Sequence, residues 1–411
     1  MNILCVVLKI DFQIERFIRS LNSNIDNVHI LTLETLKEQV EENFLHQYNL
    51  KSIITYKNHG NLFNIAMDDH ALMEQIKLLN IDNATILYTT KSKSIKFIPQ
   101  AHMTDISLFY MLCSFLKKCH ISQTSIYDMG TVTQVVVPLI LEEFINKHSG
   151  KRAFIIGNGP SLNNIDMTKL KHEVTFGSNR VHLGFKKWGF EVNYWGIIDR
   201  LQIEEHLAEW EQCIPQKSVK FFPFEYLPIL HFHENYCPIN LLYGYPDQEN
   251  NPRFGDDPNT LYLGFTVTHT LLQIAVIMGC NPIYLVGVDH NYNTVDHKEK
   301  KAEVKPLWKK LASKWISSKK NHQPNSSLDE YISKNIWTAK DATEATHFDA
   351  SYNDPTQGRR FVIPRPEKSE KAFMNARIWA EAHGIQIFNA TPNTKLEVFE
   401  KVKFESLFGE A

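Results

Sequence analysis

The sequence carries almost no net charge. Its 44 lysines and arginines are opposed by 46 aspartates and glutamates, which leaves a net charge of −2 over 411 residues. Nucleic acids and acidic membrane surfaces are attracted by a field of positive charge, and this chain has no such field overall. We therefore expect no nucleic-acid partner, and any anionic ligand has to be held by local groups.

Closely spaced cysteines and long apolar runs are also missing. The six cysteines form no CxxC pair, which is typical of thiols in a reducing compartment. No apolar run reaches the roughly 18 residues that a membrane helix requires, and the N-terminal run has no small-residue cleavage signal. We expect a cytoplasmic protein without a transmembrane segment. Peripheral membrane contact and homo-oligomer formation stay open.

Short apolar runs that alternate with helical patterns are abundant. Hydrophobic residues make up 43% of the chain, enough for two cores of ordinary domain size. Runs at 3–8, 28–33 and 84–90 predict a small N-terminal α/β domain over residues 1–125. A helical pattern over residues 132–147 follows, close to the predicted domain boundary.

The second predicted domain, residues 126–411, holds six further strand candidates separated mostly by helical stretches. They lie at 153–157, 173–179, 192–198, 219–224, 282–289 and 385–390. Such alternation requires crossover connections, so we expect a Rossmann-like, mostly parallel sheet with helices on both faces. Ligands of such sheets bind outside the carboxyl ends of the strands. The Lys-rich segment 293–346 interrupts the alternation and predicts an inserted lid, with a solvated surface excursion as the alternative.

A glycine-rich loop follows the first of these strands and contains Gly157, Asn158, Gly159 and Ser161. Small residues after a buried strand let the backbone approach a ligand and turn amides toward a phosphate, while the Asn158 amide can bind ribose or phosphate. Leu162 stands where a dinucleotide fingerprint has its third glycine, and the loop lacks the lysine of a P-loop. The pattern predicts a nucleotide site of another type, with a plain tight turn as the alternative.

Polar residues end three more strands. They are Asn179, Asp199 and the run Asp289-His290-Asn291-Tyr292. Because carboxyl ends of parallel strands share one edge of a sheet, we expect these side chains to converge. A carboxylate beside an imidazole after a buried strand is a common place for proton transfer, which makes Asp289 and His290 catalytic candidates. Helix capping and turn formation are the alternative roles.

Two further segments complete the candidate site. Thr266 and Thr268 precede an apolar helical pattern and are suited to cap it, where the helix amides could also meet an anion. His347 and Asp349 lie in a short stretch dense in polar residues, and a histidine near a carboxylate can serve as a general base. A hydrogen-bonded loop is the alternative for this stretch.

The sequence lacks the spacing of a metal site. His231 and His233 with Cys237 have no second ligand pair at zinc-finger spacing, and the adjacent Asp256 and Asp257 do not form a DxD motif. We expect a metal-independent mechanism that requires no cofactor.

Four motifs carry a resemblance to a known family: GNGPSL at 157–162, FGSNR at 176–180, GCNPIYLVGVDHNY at 279–292 and THFDASYND at 346–354. Over residues 150–395 the chain resembles the MptE-like family, which is allied to flagellin motility accessory factors and, more distantly, to bacterial sialyltransferases that use CMP-activated sialic acid. The resemblance implies that a nucleotide sugar is bound by Gly157, Asn158, Ser161, Asn179, Asp199, Thr266, Thr268, Asn291 and Tyr292.

The resemblance also marks a departure at the catalytic base. The first half of the histidine-containing stretch of the sialyltransferases matches His347 and Phe348, but Ser351 stands where that stretch has its catalytic histidine. His347 or Asp349 is therefore the candidate that deprotonates an acceptor hydroxyl.

The function that the resemblance implies is a glycosyltransferase. It would move a sugar, such as a sialic-acid-like nonulosonate, from a CMP-activated donor to a glycan, lipid-linked or protein acceptor in surface glycoconjugate synthesis. One alternative is an ATP-dependent diphosphokinase of the 6-hydroxymethylpterin type, which would need Mg²⁺ held by carboxylates such as Asp199 and Asp289. A second alternative is a non-catalytic nucleotide-sugar-binding subunit.

Overall fold

The computed structural model describes residues 2–7, 27–33, 37–38, 41, 50–56, 70–79, 83–87, 117, 123–128, 131–135, 139–223, 235–242, 245, 247–291, 336–338, 347–353, 360–362 and 364–409. Two compact units divide the chain: Met1–Leu139 with Leu227–Glu234, and Ile140–Tyr226 with Asn235–Ala411. Tyr292, His231, His233 and most of the predicted lid lie outside the described residues.

The first unit contains a six-stranded sheet and one described helix, α1 (His70–Lys77). Its strands are β1 (Asn2–Val7), β2 (Asn27–Leu33), β3 (Leu50–Tyr56), β4 (Asn83–Leu87), β5 (Gln123–Asp128) and β6 (Thr131–Val135). Their order in the sheet is β3-β2-β1-β4-β5-β6, and β6 alone runs antiparallel to its neighbour. The predicted strands of the N-terminal half are confirmed.

The second unit is built on an eight-stranded sheet in which every neighbouring pair is parallel. Its strands are β7 (Ala153–Ile156), β8 (Val174–Ser178), β9 (Tyr194–Gly196), β10 (Val219–Pro223), β11 (Tyr236–Ile239), β14 (Ile283–Val286), β17 (Ile387–Asn389) and β18 (Glu400–Lys401). Two short ladders pair β12 (Leu241–Leu242) with β13 (Leu261–Tyr262), and β15 (Ile336–Thr338) with β16 (Arg360–Val362). The described helices are α2 (Phe185–Trp188), α3 (Arg200–Cys213), α4 (Val267–Ile277) and α5 (Pro366–Ala382). The predicted parallel α/β fold is confirmed.

The order of the large sheet is β11-β10-β9-β8-β7-β14-β17-β18. From β7 the chain extends the sheet in one direction, and at β14 it starts again on the other side of β7. The carboxyl ends of β7 and β14 therefore form a topological switch point, where the diverging connections leave a crevice that ligands occupy in doubly wound sheets.

The core of this unit lies where α4 packs on the sheet. Every residue of α4 is buried, because its sequence is apolar on nearly all sides. Leu271 fits against Gly196 of β9, where an added Cβ would come within 2.8 Å of the leucine Cδ2 atom. On α5, Ala372, Ala376 and Ala380 are buried at four-residue spacing, so one face of that helix packs inward while α5 contacts α4.

The helix predicted over residues 132–147 is wrong. The first part of this range lies in β6, which pairs with β5, and Leu141–Phe144 forms a short 3₁₀ helix. The run Thr131-Val132-Thr133-Gln134-Val135 is rich in β-branched residues that favour a paired strand, and Pro138 opposes a continuous helix.

Among the described residues, no helix combines the length and apolar character that crossing a membrane demands.

Candidate functional site

The loop after β7 is bound to the loop after β14. The Ser161 hydroxyl donates to Asp289 Oδ2 at 2.6 Å, and the Ser161 amide donates to Asp289 Oδ1 at 3.2 Å. The Gly159 amide donates to the carbonyl of Gly287 at 2.9 Å. These bonds bring the glycine-rich loop and the predicted catalytic aspartate together at the switch point of the sheet.

The glycines of this loop are required by the close approach of the two segments. A Cβ on Gly159 would overlap the Asp289 carboxylate, and a Cβ on Gly157 would overlap the Gly287 carbonyl. Gly287 itself has a φ of +67°, and Leu162 packs so closely against it that an added Cβ would lie 2.5 Å from the leucine Cδ2 atom. Leu162, at the position of a missing third glycine, is thus a packing contact between the loops.

The backbone amides of the loop are largely occupied within the protein. Gly157 donates to Val286, and Gly159 and Ser161 donate to the β14 loop as described above. A phosphate therefore could not take these three amides without displacing β14 contacts. In this arrangement, the groups of the loop that remain open to a ligand are side chains.

Asn158 presents a buried acceptor that no described residue uses. Its Nδ2 donates to the Ser178 carbonyl at 3.1 Å, which fixes the orientation of the amide, and its Oδ1 is buried without a hydrogen-bond partner. A buried polar atom left unsatisfied costs roughly 1–3 kcal/mol, which a ligand donor would offset. The ribose hydroxyls and the amino group of cytosine are donors of the required kind.

Asn179 presents a second acceptor of this type at the end of β8. Its backbone is left-handed, with φ +47°, and its carbonyl accepts from Trp195 Nε1 at 2.8 Å. Its side chain hydrogen bonds with Tyr352, while Oδ1 is buried and has no partner among the described residues. The ends of β7 and β8 thus each carry one buried, unpartnered amide oxygen.

The segment 347–353 lies against both of these strand ends. The Phe348 amide donates to the Asn158 carbonyl at 3.0 Å, and the Phe348 ring packs on Trp188 with centroids 5.2 Å apart. The buried Arg180 guanidinium donates to the carbonyls of Ser351 and Tyr352. These hydrogen bonds therefore anchor the segment beside the glycine-rich loop.

Arg180 is itself held by a buried ion pair. Its Nε lies 2.8 Å from Glu209 Oε1 on α3, and His182 Nε2 lies 3.2 Å from the same oxygen. The arginine thus links β8, α3 and the segment 347–353. Because its charge is committed to Glu209 and to two carbonyls, its role is to position the segment.

His347 stacks face to face on Tyr352. The ring centroids are 3.7 Å apart and the ring planes differ by 7°. Burial, together with the positive charge of Arg180, lowers the pKa of His347 to about 3. The imidazole is therefore neutral at physiological pH, and it is a weak proton acceptor.

Asp349 and Asp199 both cap helical turns. Asp349 Oδ1 accepts from the Ser351 amide at 2.8 Å and from the Ser351 hydroxyl at 2.6 Å, in an exposed setting. Asp199 Oδ1 accepts from the amides of Leu201 at 2.9 Å and Gln202 at 3.3 Å at the start of α3. Burial raises the pKa of Asp199 to about 6, against the opposing effect of these amides.

Burial also raises the pKa of Asp289, although both hydrogen bonds from Ser161 oppose this shift. The neighbouring His290 has a φ of +53°, and burial lowers its pKa while the charge of Glu370 acts in the opposite direction. Asn291 is exposed, and its Oδ1 accepts from Lys395 Nζ at 2.6 Å. A cation is thereby placed at the carboxyl end of β14.

The two predicted threonines lie at the start of α4. Thr266 is the N-cap residue, and its hydroxyl accepts from the Thr268 amide at 3.4 Å. In the described part of the chain no hydrogen bond joins either threonine to residues 157–161. The structure thus brings together the loop, Asn179, Asp289 and the segment 347–353, while Thr266 caps α4 and Thr268 lies within its first turn.

Two residues outside the predicted set belong to this arrangement, Arg180 and Tyr352. Both lie inside motifs that the sequence singles out, FGSNR and THFDASYND. Their importance comes from contacts that span 171 and 172 positions, which local patterns do not reveal. Throughout the described ranges, no group of three or more His, Cys, Asp or Glu side chains is placed to hold a metal ion.

Fold and site together define a doubly wound α/β protein whose crevice lies at the switch point of a parallel sheet. Residues 129–295 match the family model described as 6-hydroxymethylpterin diphosphokinase MptE-like. The resemblance to the MptE-like family is thus confirmed over that segment.

Two solved structures are similar to this chain. The structure of the MAf glycosyltransferase from Magnetospirillum magneticum AMB-1 has 12% identity and a TM-score of 0.35, over 98% of this chain and 58% of that one. This chain therefore spans less than two thirds of that protein. The crystal structure of a glycosyl transferase family 9 protein from Veillonella parvula DSM 2008 has 12% identity and a TM-score of 0.17, over 69% of this chain and 80% of that one. No curated protein matches the sequence.

Proposed function

We propose that this protein is a glycosyltransferase that uses a CMP-activated sugar, of the sialic-acid-like class, as its donor. The observation that carries the proposal is Asn158, whose buried Oδ1 has no partner and whose orientation is fixed by Ser178 at the switch point of the sheet. The order of the four motifs, which resembles that of the sialyltransferases, supports the same conclusion.

In the proposed site, Asn158 and Asn179 bind the nucleoside. Each offers a buried acceptor, and a cytidine nucleotide offers donors at the base amino group and at the ribose hydroxyls. Satisfying a buried acceptor stabilises the complex, while a ligand without a donor at that point would leave it unpaired. Asn158 and Asn179 therefore act as the groups that select the nucleotide.

Lys395 stabilises the departing phosphate in the proposed reaction. Its amide donates to the Asp289 carbonyl at 2.9 Å, which places the residue at the carboxyl end of β14, and its ammonium group is exposed beside Asn291. A cation at the leaving group stabilises the charge that develops there. The proposed reaction needs neither metal nor another cofactor, because CMP leaves as a monophosphate.

In the proposed reaction, the oxygen of an acceptor hydroxyl attacks the anomeric carbon of the donor sugar. The bond from that carbon to the phosphate oxygen breaks, and its electron pair leaves with CMP. The acceptor belongs to a glycan, a lipid-linked intermediate or a protein in surface glycoconjugate synthesis. The proton of the hydroxyl passes to a base on the protein.

A diphosphokinase is the second candidate, and the description of the matching family model favours it. That reaction would require Mg²⁺ on carboxylates such as Asp199 and Asp289. Both oxygens of Asp289 accept from Ser161, and one oxygen of Asp199 caps α3. Together with the lack of a three-residue ligand cluster in the described ranges, this donor set fits a divalent cation poorly.

A thermal-shift panel separates these candidates. CMP, CDP, UDP, GDP, AMP and ATP are each tested with EDTA and with Mg²⁺. A ligand at 100 times its Kd stabilises the folded state by about 2.7 kcal/mol. We expect stabilisation by CMP in EDTA, whereas stabilisation confined to Mg-ATP would favour the diphosphokinase. CMP binding without release of CMP from a CMP-sugar, across acceptors of all three classes, would indicate a binding subunit.

The role of Asn158 is tested by Asn158→Ala. We expect weaker CMP binding in this variant, because the alanine removes the unpaired acceptor. Asn240→Ala is the matched control, since the Asn240 side chain also donates to a backbone carbonyl, at 2.8 Å, but Asn240 lies between β11 and β12. Equal CMP affinity in wild type and Asn158→Ala would contradict the assignment.

A further inference from the structure

One carboxylate oxygen of Asp199 accepts hydrogen bonds from the helix α3, and the other accepts none from a described residue. Oδ1 receives both amide hydrogen bonds at the start of α3, and Oδ2 accepts no hydrogen bond from any described residue. The side chain is half-buried, three positions after the end of β9. Asp199 is thus a carboxylate held by the start of α3, with one oxygen that no described residue engages.

The surroundings of Asp199 place it at the proposed nucleotide-sugar crevice. It interacts electrostatically with Tyr352, and Tyr352 hydrogen bonds with Asn179. Around Tyr352 lie His347, stacked on its ring, and the Arg180 guanidinium, 5.7 Å from its centroid. His347 and Arg180 thus lie beside Tyr352, the residue that interacts with Asp199.

We propose that Asp199 is the residue that accepts the proton from the acceptor hydroxyl. The inference rests on the proposed function. As the acceptor oxygen bonds to the anomeric carbon, its proton passes to Asp199 Oδ2, and the electron pair of the breaking bond leaves with CMP. Asp199 later returns the proton to water.

The other candidate bases are less suited to this step. His347 is neutral and stacked, with a pKa lowered to about 3, which makes it a poor acceptor. Both oxygens of Asp289 accept from Ser161, and Asp349 holds the Ser351 turn in an exposed setting where water competes. Asp199 combines an oxygen that no described residue engages with a pKa that burial raises to about 6, close to the pH at which a base works best.

The experiment compares Asp199→Asn with wild type. Asparagine caps a helix as well as aspartate does, but it cannot accept the proton. Loss of a general base slows transfer roughly 100-fold or more, while CMP binding should stay within about twofold of wild type. The wild-type rate should rise with pH through about 6, and this limb should vanish in the variant.

Two further variants sharpen the test. Asp199→Ser also keeps a capping side chain without a carboxylate, so it should lose transfer like Asp199→Asn. Asp166→Asn is the matched control, because Asp166 caps a 3₁₀ helix through a 3.1 Å bond from the Thr168 amide and is not part of the crevice. Its transfer rate should equal that of wild type.

The outcomes distinguish the inference from the function on which it rests. Wild-type turnover in Asp199→Asn would overturn the role of Asp199 and leave the transferase proposal intact. A loss of CMP affinity of about tenfold or more without a change in the pH profile would assign Asp199 to binding and overturn the inference. If wild type releases no CMP from a CMP-sugar, the proposed function fails and the inference fails with it.

Discussion

The hydroxyl of Ser161 lies 2.6 Å from the carboxylate of Asp289, although the two residues are 128 positions apart in the sequence. This bond and the parallel amide bond join the loops after β7 and β14, the two strands at which the sheet reverses its direction of growth. The candidate site is held at this junction, so its geometry depends on a polar contact as well as on the apolar core.

Removing the hydroxyl should therefore destabilise the protein. Ser161→Ala leaves a half-buried carboxylate with one donor fewer, and we expect the free energy of unfolding at neutral pH to fall by about 1–3 kcal/mol. The loss should shrink at acidic pH, since the hydrogen bond favours the ionised form of Asp289. Ser351→Ala removes a bond of equal length to Asp349 in an exposed setting and should cost about 0.5 kcal/mol. Equal losses in chemical denaturation would contradict this account.

Gly159 should tolerate no side chain. The Cβ of Gly159→Ala would overlap the Asp289 carboxylate and lie 2.8 Å from the Gly287 carbonyl, so the two loops would have to separate. We expect a loss of stability of about 1–3 kcal/mol together with weaker nucleotide binding. Gly255→Ala is the control, because the nearest atom to its Cβ would be a Tyr262 ring carbon at 3.5 Å. Denaturant titration and CMP binding measure both effects, and a stable, CMP-binding Gly159→Ala would refute the close-approach argument.

Arg180 should contribute far more to the free energy of unfolding than a surface cation does. Arg180→Met removes the guanidinium partner of Glu209 in a largely buried site and leaves two carbonyls of the segment 347–353 without their donor, at a cost of roughly 3–5 kcal/mol. Lys217→Met breaks a 2.6 Å pair with Glu191 at the surface and should cost at most about 1 kcal/mol. Urea unfolding of both variants measures the difference. Similar midpoints for the two would show that the Arg180 network does not hold the segment.

The stability of the protein should depend on pH through Asp199. Its pKa in the folded state, about 6, lies above the ordinary value, so the folded protein binds this proton more tightly than the unfolded chain does. The resulting stabilisation is present at low pH and is lost as the pH rises from about 4 through about 6. Asp199→Asn lacks this contribution, so the difference in unfolding free energy between wild type and variant should decline over that window and then level off.

Asp166 provides a control of opposite sign. Hydrogen bonds from Thr168 lower its pKa, so its contribution is present above the ordinary pKa and is lost as the pH falls. Chemical denaturation of both variants from about pH 2 to about pH 8 measures the two slopes, which fall below about pH 4 for Asp166 and between about pH 4 and about pH 6 for Asp199. Parallel slopes for Asp199→Asn and Asp166→Asn would contradict the raised pKa of Asp199.

Much of the fold could be read from local patterns. The apolar runs around Cys5, Ile155 and Leu285 are all strands, because a parallel strand buried on both faces is apolar at nearly every position. The helix expected over 132–147 was the clear failure. There, pairing of β6 with β5 outweighed a helical spacing of apolar residues, and such pairing depends on a partner strand that periodicity does not identify.

The candidate site, too, has features that the sequence predicts and features that only the tertiary structure reveals. The sequence alone determined the strands that lead into the site, the positions of the glycines and the order of the polar motifs, because these follow from side-chain size, apolarity and backbone preference at each position. Only the tertiary structure decided that Ser161 holds Asp289, that the loop amides are already occupied, and that Arg180 holds the segment beginning at His347. Those facts rest on hydrogen bonds and burial between distant parts of the chain, which exist only once the sheet has brought its strand ends together.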